Sequence, residues 1–142
     1  MPSVSIDEYL EGLWVIRIER AQVASVKNVA KELNITPPSV AQMFGKMRAL
    51  GLIKYDKHSG ADFTRKGKRR ARHIVRSHRL MEKLLVDVVG VNLSKVEGPA
   101  CGAEHYLPEE VADAICTYLK HPRECPHGEP IPKGKCCPQR KV

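Results

Sequence analysis

The sequence contains no apolar run approaching the length of a membrane span. Its N-terminus lacks the charged-then-apolar pattern of a signal peptide. Both absences favour a cytoplasmic protein. A basic amphipathic anchor is also missing. The excess of Lys and Arg, 24 against 16 acidic residues for a formal charge of +8, therefore points to nucleic acid rather than membrane. Without a secretory signal, five cysteines are poor disulfide candidates, and their odd number argues the same way. Metal binding or plain burial suits them better. Cys101 and His105 have the spacing of a nucleophile and a base, but no oxyanion site or substrate cleft accompanies them, so an enzyme is not expected. What remains is a chain of 142 residues, 42% hydrophobic, with room for one domain of common size or two small ones.

The chemistry concentrates in Glu97-Gly-Pro-Ala-Cys-Gly-Ala-Glu-His105. On a helix Cys101, Glu104 and His105 stand at i, i+3 and i+4, on one face. A thiolate, carboxylates and an imidazole on one stripe are a transition-metal ligand set, where an ordinary packed helix would be apolar. Pro99 fits if Gly98 caps and Pro99 takes the first helical position, which leaves Glu97 just outside the helix.

The preceding chain reads as a DNA-binding unit. Residues 5–20 form an amphipathic helix capped by Ser5, with Glu8 at the capping-box position. Glu8 and Glu11 lie one turn apart, and a solvated acidic first turn accounts for them locally. A second helix covers 25–33. A third starts at Thr36-Pro37-Pro38, runs to about Leu50 and stops at Gly51. Val40, Met43 or Phe44, and Met47 face inward; Ser39, Gln42 and Lys46 face out. Two short helices joined by a tight turn are a helix-turn-helix, and the following strand-turn-strand over 52–64 makes it winged.

Thr64 caps a long helix that ends at Gly90. Its start, 65–72, is strongly basic, and its later stripe includes Ile74, His78, Met81, Leu85 and Val88. An inward histidine is usually a hydrogen-bonded core residue. Glu82, one turn on, and the nearby 97–105 cluster favour a ligand. Pro108 opens a last helix whose packing face is Val111, Ala114, Ile115, Tyr118 and Leu119, with Cys116 beside it. The Pro- and Gly-rich remainder reads as an extended tail, inert or redox-sensitive. Cys125, His127, Cys136 and Cys137 could alternatively form a structural zinc knot, although their spacing is not that of a standard finger. The fold expected is mainly α: a winged helix-turn-helix over 1–72, a helical metal-binding and dimerisation domain over 73–121, and a Cys/Pro-rich tail over 122–142.

Several motifs occur in a familiar order: Asp7-Glu8-Tyr9-Leu10-Glu11, Thr36-Pro37-Pro38-Ser39-Val40, Leu50-Gly51-Leu52-Ile53, His78-Arg79-Leu80-Met81-Glu82, Cys101-x-x-Glu104-His105, and Cys-Pro-His-Gly-Glu-Pro-Ile-Pro at 125–132. Together they resemble the diphtheria-toxin-repressor family of metal-dependent transcriptional repressors, in its short form without an SH3-like domain. The resemblance implies a homodimer on a palindromic double-stranded DNA operator. It places Cys101, Glu104, His105 and Glu8 in the regulatory metal site, and His78, Glu82 and Glu97 in a neighbouring one. Glu11 matches a ligand of manganese-type members. A cysteine at position 101 goes with iron in this family, so Fe(II) is favoured, with Mn(II) the alternative and Zn(II) or Ni(II) binding in vitro.

On DNA, Thr36, Pro38, Ser39 and Gln42 stand at the start of the reading helix. Gln42 can pair with an adenine edge, and Thr36 and Ser39 suit phosphates. Lys46, Lys57 and His58 serve the backbone. A metal held by groups far apart in sequence would shift loose dimers towards one with a fixed half-site spacing, and a shift from 1:99 to 99:1 needs roughly 5.5 kcal/mol of differential binding. The rival is a winged-helix regulator that needs no metal.

Overall fold

The computed structural model describes residues 5–138, so residues 139–142 of the tail expected over 122–142 lie outside the described residues. The chain divides into two compact units, 1–72 and 73–142.

The first unit begins with α1 (Ile6–Leu13), whose N-cap Ser5 accepts a hydrogen bond from the Glu8 amide at 3.3 Å. The helix does not run on to residue 20 in α form. Trp14–Glu19 widen into a π-helical segment, with the Arg20 amide bonded to the Val15 carbonyl five residues back. Then come α2 (Val26–Leu33), capped by Ser25, and α3 (Pro37–Ala49), capped by Thr36. Asn34 ends α2 in the left-handed region. Pro37 and Pro38 occupy the first turn of α3, where the missing N–H groups have no helical acceptor to lose. Val40, Phe44 and Met47 are buried beneath α3, with Leu10, Leu13, Ile16 and Val29 from the earlier helices. Each such side chain contributes about 1.5–3 kcal/mol by leaving water. This face orients α3 so that Ser39, Gln42 and Lys46 are exposed.

The wing is an antiparallel pair, β1 (Ile53–Asp56) and β2 (Gly60–Phe63), in the register Ile53 to Phe63 and Asp56 to Gly60. Asp56 accepts the amides of His58 (2.8 Å) and Ser59 (3.2 Å) and shapes the turn. Thr64 caps the next helix, α4 (Arg65–Leu84), by accepting the Gly67 amide, while its hydroxyl donates to the Gly51 carbonyl. Gly67 is required there, because a Cβ would collide with the Leu52 carbonyl.

The second unit holds the rest of α4, a π-helical segment (Leu85–Val89) that ends at Gly90, a short 3-10 turn (Leu93–Lys95), α5 (Glu97–Glu104) and α6 (Glu109–Tyr118). α5 starts at Glu97, earlier than Gly98 as a cap would allow. Pro99 is tolerated at its third position because amides of the first turn have no partner within the helix. The buried face of α6 is also displaced from expectation. Ala112 and Cys116 are buried, with Ile115 and Leu119 beside them, while Val111 and Tyr118 are exposed. The tail causes this shift. Among its described residues it has no helix, yet it folds back, placing Cys125 and Ile131 against Leu80, Ala112 and Cys116. Backbone bonds between Cys125 and Glu129 and between Ile131 and Arg123 hold the loop, and the Arg79 guanidinium donates to the Pro130 carbonyl. Among the described residues, no helix is long and apolar enough to cross a membrane.

Candidate metal centre

The helical unit brings the sequence's metal-type donors into one run of contacts. His78 projects from α4, with Glu82 one turn on. Its Nδ1 lies 2.7 Å from Glu104 of α5, and its Nε2 lies 3.0 Å from Glu82 and 3.3 Å from Glu97. Glu104 also faces the Cys101 thiol and the His105 ring, each at 3.6 Å. The expected face of α5 thus holds: Cys101, Glu104 and His105 converge, with His105 as the C-cap. His78, Glu82 and Glu97 form a second group of donors. Glu8 and Glu11 lie on α1, in the first unit.

Burial makes this arrangement chemically pointed. Glu104 is 1% exposed and Glu82 is 2% exposed. A carboxylate withdrawn from water needs a compensating charge or full hydrogen bonding. Imidazoles and a thiol face these two. A divalent cation would satisfy both carboxylates. One thiol, two imidazoles and three carboxylates are softer than an all-oxygen Mg(II) or Ca(II) cage, and they fit a transition ion. Burial pushes the Glu82 carboxyl up. His78 and His127 outweigh it and hold the group below the usual carboxylate value.

His127 escaped the sequence reading as a partner of this centre. Its Nδ1 lies 2.5 Å from the second oxygen of Glu82, and Cys125 stands close enough to join them in a three-donor group. The only sequence signal was the Cys-Pro-His-Gly run itself. A knot of Cys125, His127, Cys136 and Cys137 does not form. The first pair lies with Glu82, and the second lies with Cys116 and His121. Burial and the Cys137 and Cys136 thiols push the Cys116 thiol up to about 12. Burial also raises Cys137, but a Gly134 backbone hydrogen bond, His121 and the two neighbouring thiols bring it to about 7.

In the first unit Thr36, Pro38, Ser39, Gln42 and Lys46 are all exposed along the start and outer face of α3, and Lys57 and His58 are exposed at the wing turn. Thr36 and Ser39 hydroxyls lie 2.8 Å apart. The face therefore offers hydroxyls, an amide and cations on a rigid helix.

A winged helix-turn-helix unit is thus followed by a helical unit with buried carboxylate and imidazole donors. Residues 1–61 match the iron dependent repressor N-terminal DNA binding domain, and residues 64–133 match the iron dependent repressor metal binding and dimerisation domain. The chain belongs to the iron-dependent repressor family. It is 36% identical over 104 residues to the iron-dependent repressor IdeR of Mycobacterium leprae, covering 73% of this chain and 45% of that protein. It thus spans about half the length of that relative. It is also 30% identical over 118 residues to an uncharacterised helix-turn-helix transcriptional regulator of Methanocaldococcus jannaschii, covering 83% of this chain and 94% of the other. Among solved structures, the manganese regulator SloR superposes with a TM-score of 0.78 at 27% identity, over 93% of this chain and 61% of that one.

Proposed function

We propose that the protein is a metal-dependent transcriptional repressor that acts as a homodimer on double-stranded operator DNA. One observation carries the reading: the buried convergence of His78, Glu82 and Glu104 with Cys101, His105 and Glu97. Two buried carboxylates facing titratable partners are unfavourable as mere packing and favourable as a cation site. The bound cation would supply fixed positive charge to that cluster. Cys101, Glu104 and His105 would hold it, and His78, Glu82 and Glu97 would hold a neighbouring ion, with Glu8 and Glu11 as further carboxylate donors. The ion is Fe(II) in this reading, because Cys101 adds a soft ligand and relatives are named for iron. Mn(II) is the second reading, favoured by the number of carboxylates and by the likeness to a manganese regulator.

Gln42 would read an adenine edge, Thr36 and Ser39 would meet phosphates, Pro38 would fix the helix entry, and Lys46, Lys57 and His58 would neutralise backbone charge. Exposed Val88, Val89, Leu93 and Val111 of the second unit are apolar surface of the kind that dimer interfaces bury. A palindromic operator follows from a two-fold dimer. The deciding experiment is an anaerobic gel shift on an operator selected from random DNA, with Fe(II) or Mn(II) and then with chelator. Metal-dependent retardation with a dimer's stoichiometry supports the reading. Equal retardation in chelator refutes it.

A further inference from the structure

A second cluster of metal-type donors lies apart from the centre just described, where the tail meets α6. Cys116 sits on α6 and is 1% exposed. After the helix the chain reverses through two successive non-glycine residues in the left-handed region, Lys120 (φ 61°) and His121 (φ 53°). Each such residue is disfavoured by about 1–2 kcal/mol, so the turn needs something to hold it. The reversal returns the His121 amide to the Cys116 carbonyl at 2.8 Å and sets the His121 Nδ1 3.5 Å from the Cys116 sulfur. From the far end of the tail, a turn closed by the Cys137 amide on the Gly134 carbonyl brings two adjacent cysteines to the same point. The Cys137 sulfur lies 3.6 Å from that of Cys116. The Cys136 sulfur lies 3.9 Å from His121 Nδ1 and 4.0 Å from the Cys137 sulfur.

These separations have a specific meaning. A tetrahedral Zn(II) with bonds of about 2.3 Å to sulfur and about 2.0–2.1 Å to nitrogen spaces its ligands by about 3.8 Å (S to S) and about 3.5 Å (S to N). The four separations just given lie within about 0.4 Å of these values, and all four donors lie within 4.8 Å of one another. The surroundings also suit it. Three thiolates around a divalent ion leave one net negative charge. The Arg76 guanidinium, itself 4% exposed and anchored on Asp113 at 2.7 Å, donates to the Cys136 sulfur at 3.1 Å. Gly134 lies beside that guanidinium, and a Cβ there would force it to move.

We propose that Cys116, His121, Cys136 and Cys137 form a closed structural Zn(II) site that pins the tail to α6, separate from the regulatory metal. Four protein donors leave no open coordination position, so the site is structural. Binding releases the thiol protons to solvent. Softness divides the ions: the sulfur-rich set takes Zn(II), and the carboxylate-rich set takes the harder Mn(II) or Fe(II).

The test uses the full chain, reduced, loaded with Zn(II) and then dialysed against a weak chelator, with zinc per chain measured by mass spectrometry. Wild type and Glu104→Gln should both retain about one tightly held zinc. Cys136→Ser and Cys137→Ser should fall below about a tenth of that content, whereas His121→Cys, which keeps a competent four-sulfur set, should retain it. Co(II) loaded in place of zinc should give thiolate charge-transfer and intense tetrahedral d–d bands, which reports on the unmutated protein even if a serine variant misfolds. The site is overturned if wild type holds no zinc after dialysis, if both serine variants hold as much as wild type, or if Co(II) gives no thiolate band. It is also overturned if Glu104→Gln loses the zinc with the Mn(II) response, since one site would then serve both.

Discussion

Replacing Glu104 with Gln should affect the metal-free and the metal-bound protein in opposite ways. Gln keeps the shape of the side chain and can still bond His78, now at 2.7 Å from Glu104, while removing a charge that is 1% exposed. Taking a carboxylate out of water is opposed by several kcal/mol, and His78 still keeps Glu82 and Glu97 as partners, so removing that charge in the absence of metal should leave stability near wild type or raise it. In Mn(II) the balance reverses. At an Mn(II) concentration about 100 times the dissociation constant, wild type gains about 2.7 kcal/mol. For a chain of this size that is about 5–11 °C in Tm, at about 2–4 °C per kcal/mol. If the substitution weakens binding about 100-fold, the ion sits near its new dissociation constant, and the gain falls to about 0.4 kcal/mol, or about 1 °C. The assay is a pair of thermal melts for each protein, without added Mn(II) and with it. A Gln variant that keeps the full Mn(II) shift would refute Glu104 as a ligand. A variant that loses several kcal/mol without metal would show the carboxylate to be structural.

Other substitutions probe the frame around these sites. Gly67→Ala should destabilise the protein towards the upper end of about 1–3 kcal/mol in denaturant unfolding, because the obstacle is the Leu52 backbone; an unchanged midpoint would refute the packing argument. Lys46→Ala should lower the salt slope of operator affinity by about 1 with little change in sequence preference, whereas Gln42→Ala should lose about 1–3 kcal/mol of discrimination at one base pair. Competition binding across salt concentrations distinguishes the two effects. Asp56 is held below the usual carboxylate value by the His58 and Ser59 amides, so its support of the wing turn is fully present above the unfolded value of 3.8 and is lost as pH falls through the folded value. Amide exchange at Ser59 should therefore accelerate in acid in wild type, and Asp56→Asn should flatten that dependence.

Local chemistry made much of this fold legible. Ser5 and Thr36 announced their helices by capping, Pro37 and Pro38 marked a first turn, and alternation around the Lys57–Gly60 turn gave the wing. The stripe of Cys101, Glu104 and His105 needed only helical spacing to be read. Two of the misreadings have a common cause in contacts made far along the chain. The buried face of α6 is set by Cys125 and Ile131 of a tail that has no periodicity of its own, so Ala112 and Cys116 turn inward while Val111 and Tyr118 do not. The division of the tail's donors is likewise invisible to spacing: His127 goes to Glu82, and Cys136 and Cys137 go to Cys116, across 21 residues in the latter case. The start of α5 at Glu97 escaped because proline is compatible with more than one first-turn position, and sequence alone does not choose among them.

Both α1 and α4 finish in π-helical segments, Trp14–Glu19 and Leu85–Val89. A wide turn of this kind is a regular helix carrying one surplus residue. Removing a single residue from 14–19 or from 85–89 would let the loop of hydrogen bonds tighten to the ordinary pitch. These are the two helical stretches in which a one-residue shortening should be absorbed most readily, while the same deletion inside 97–104 would rotate the donors off their shared face.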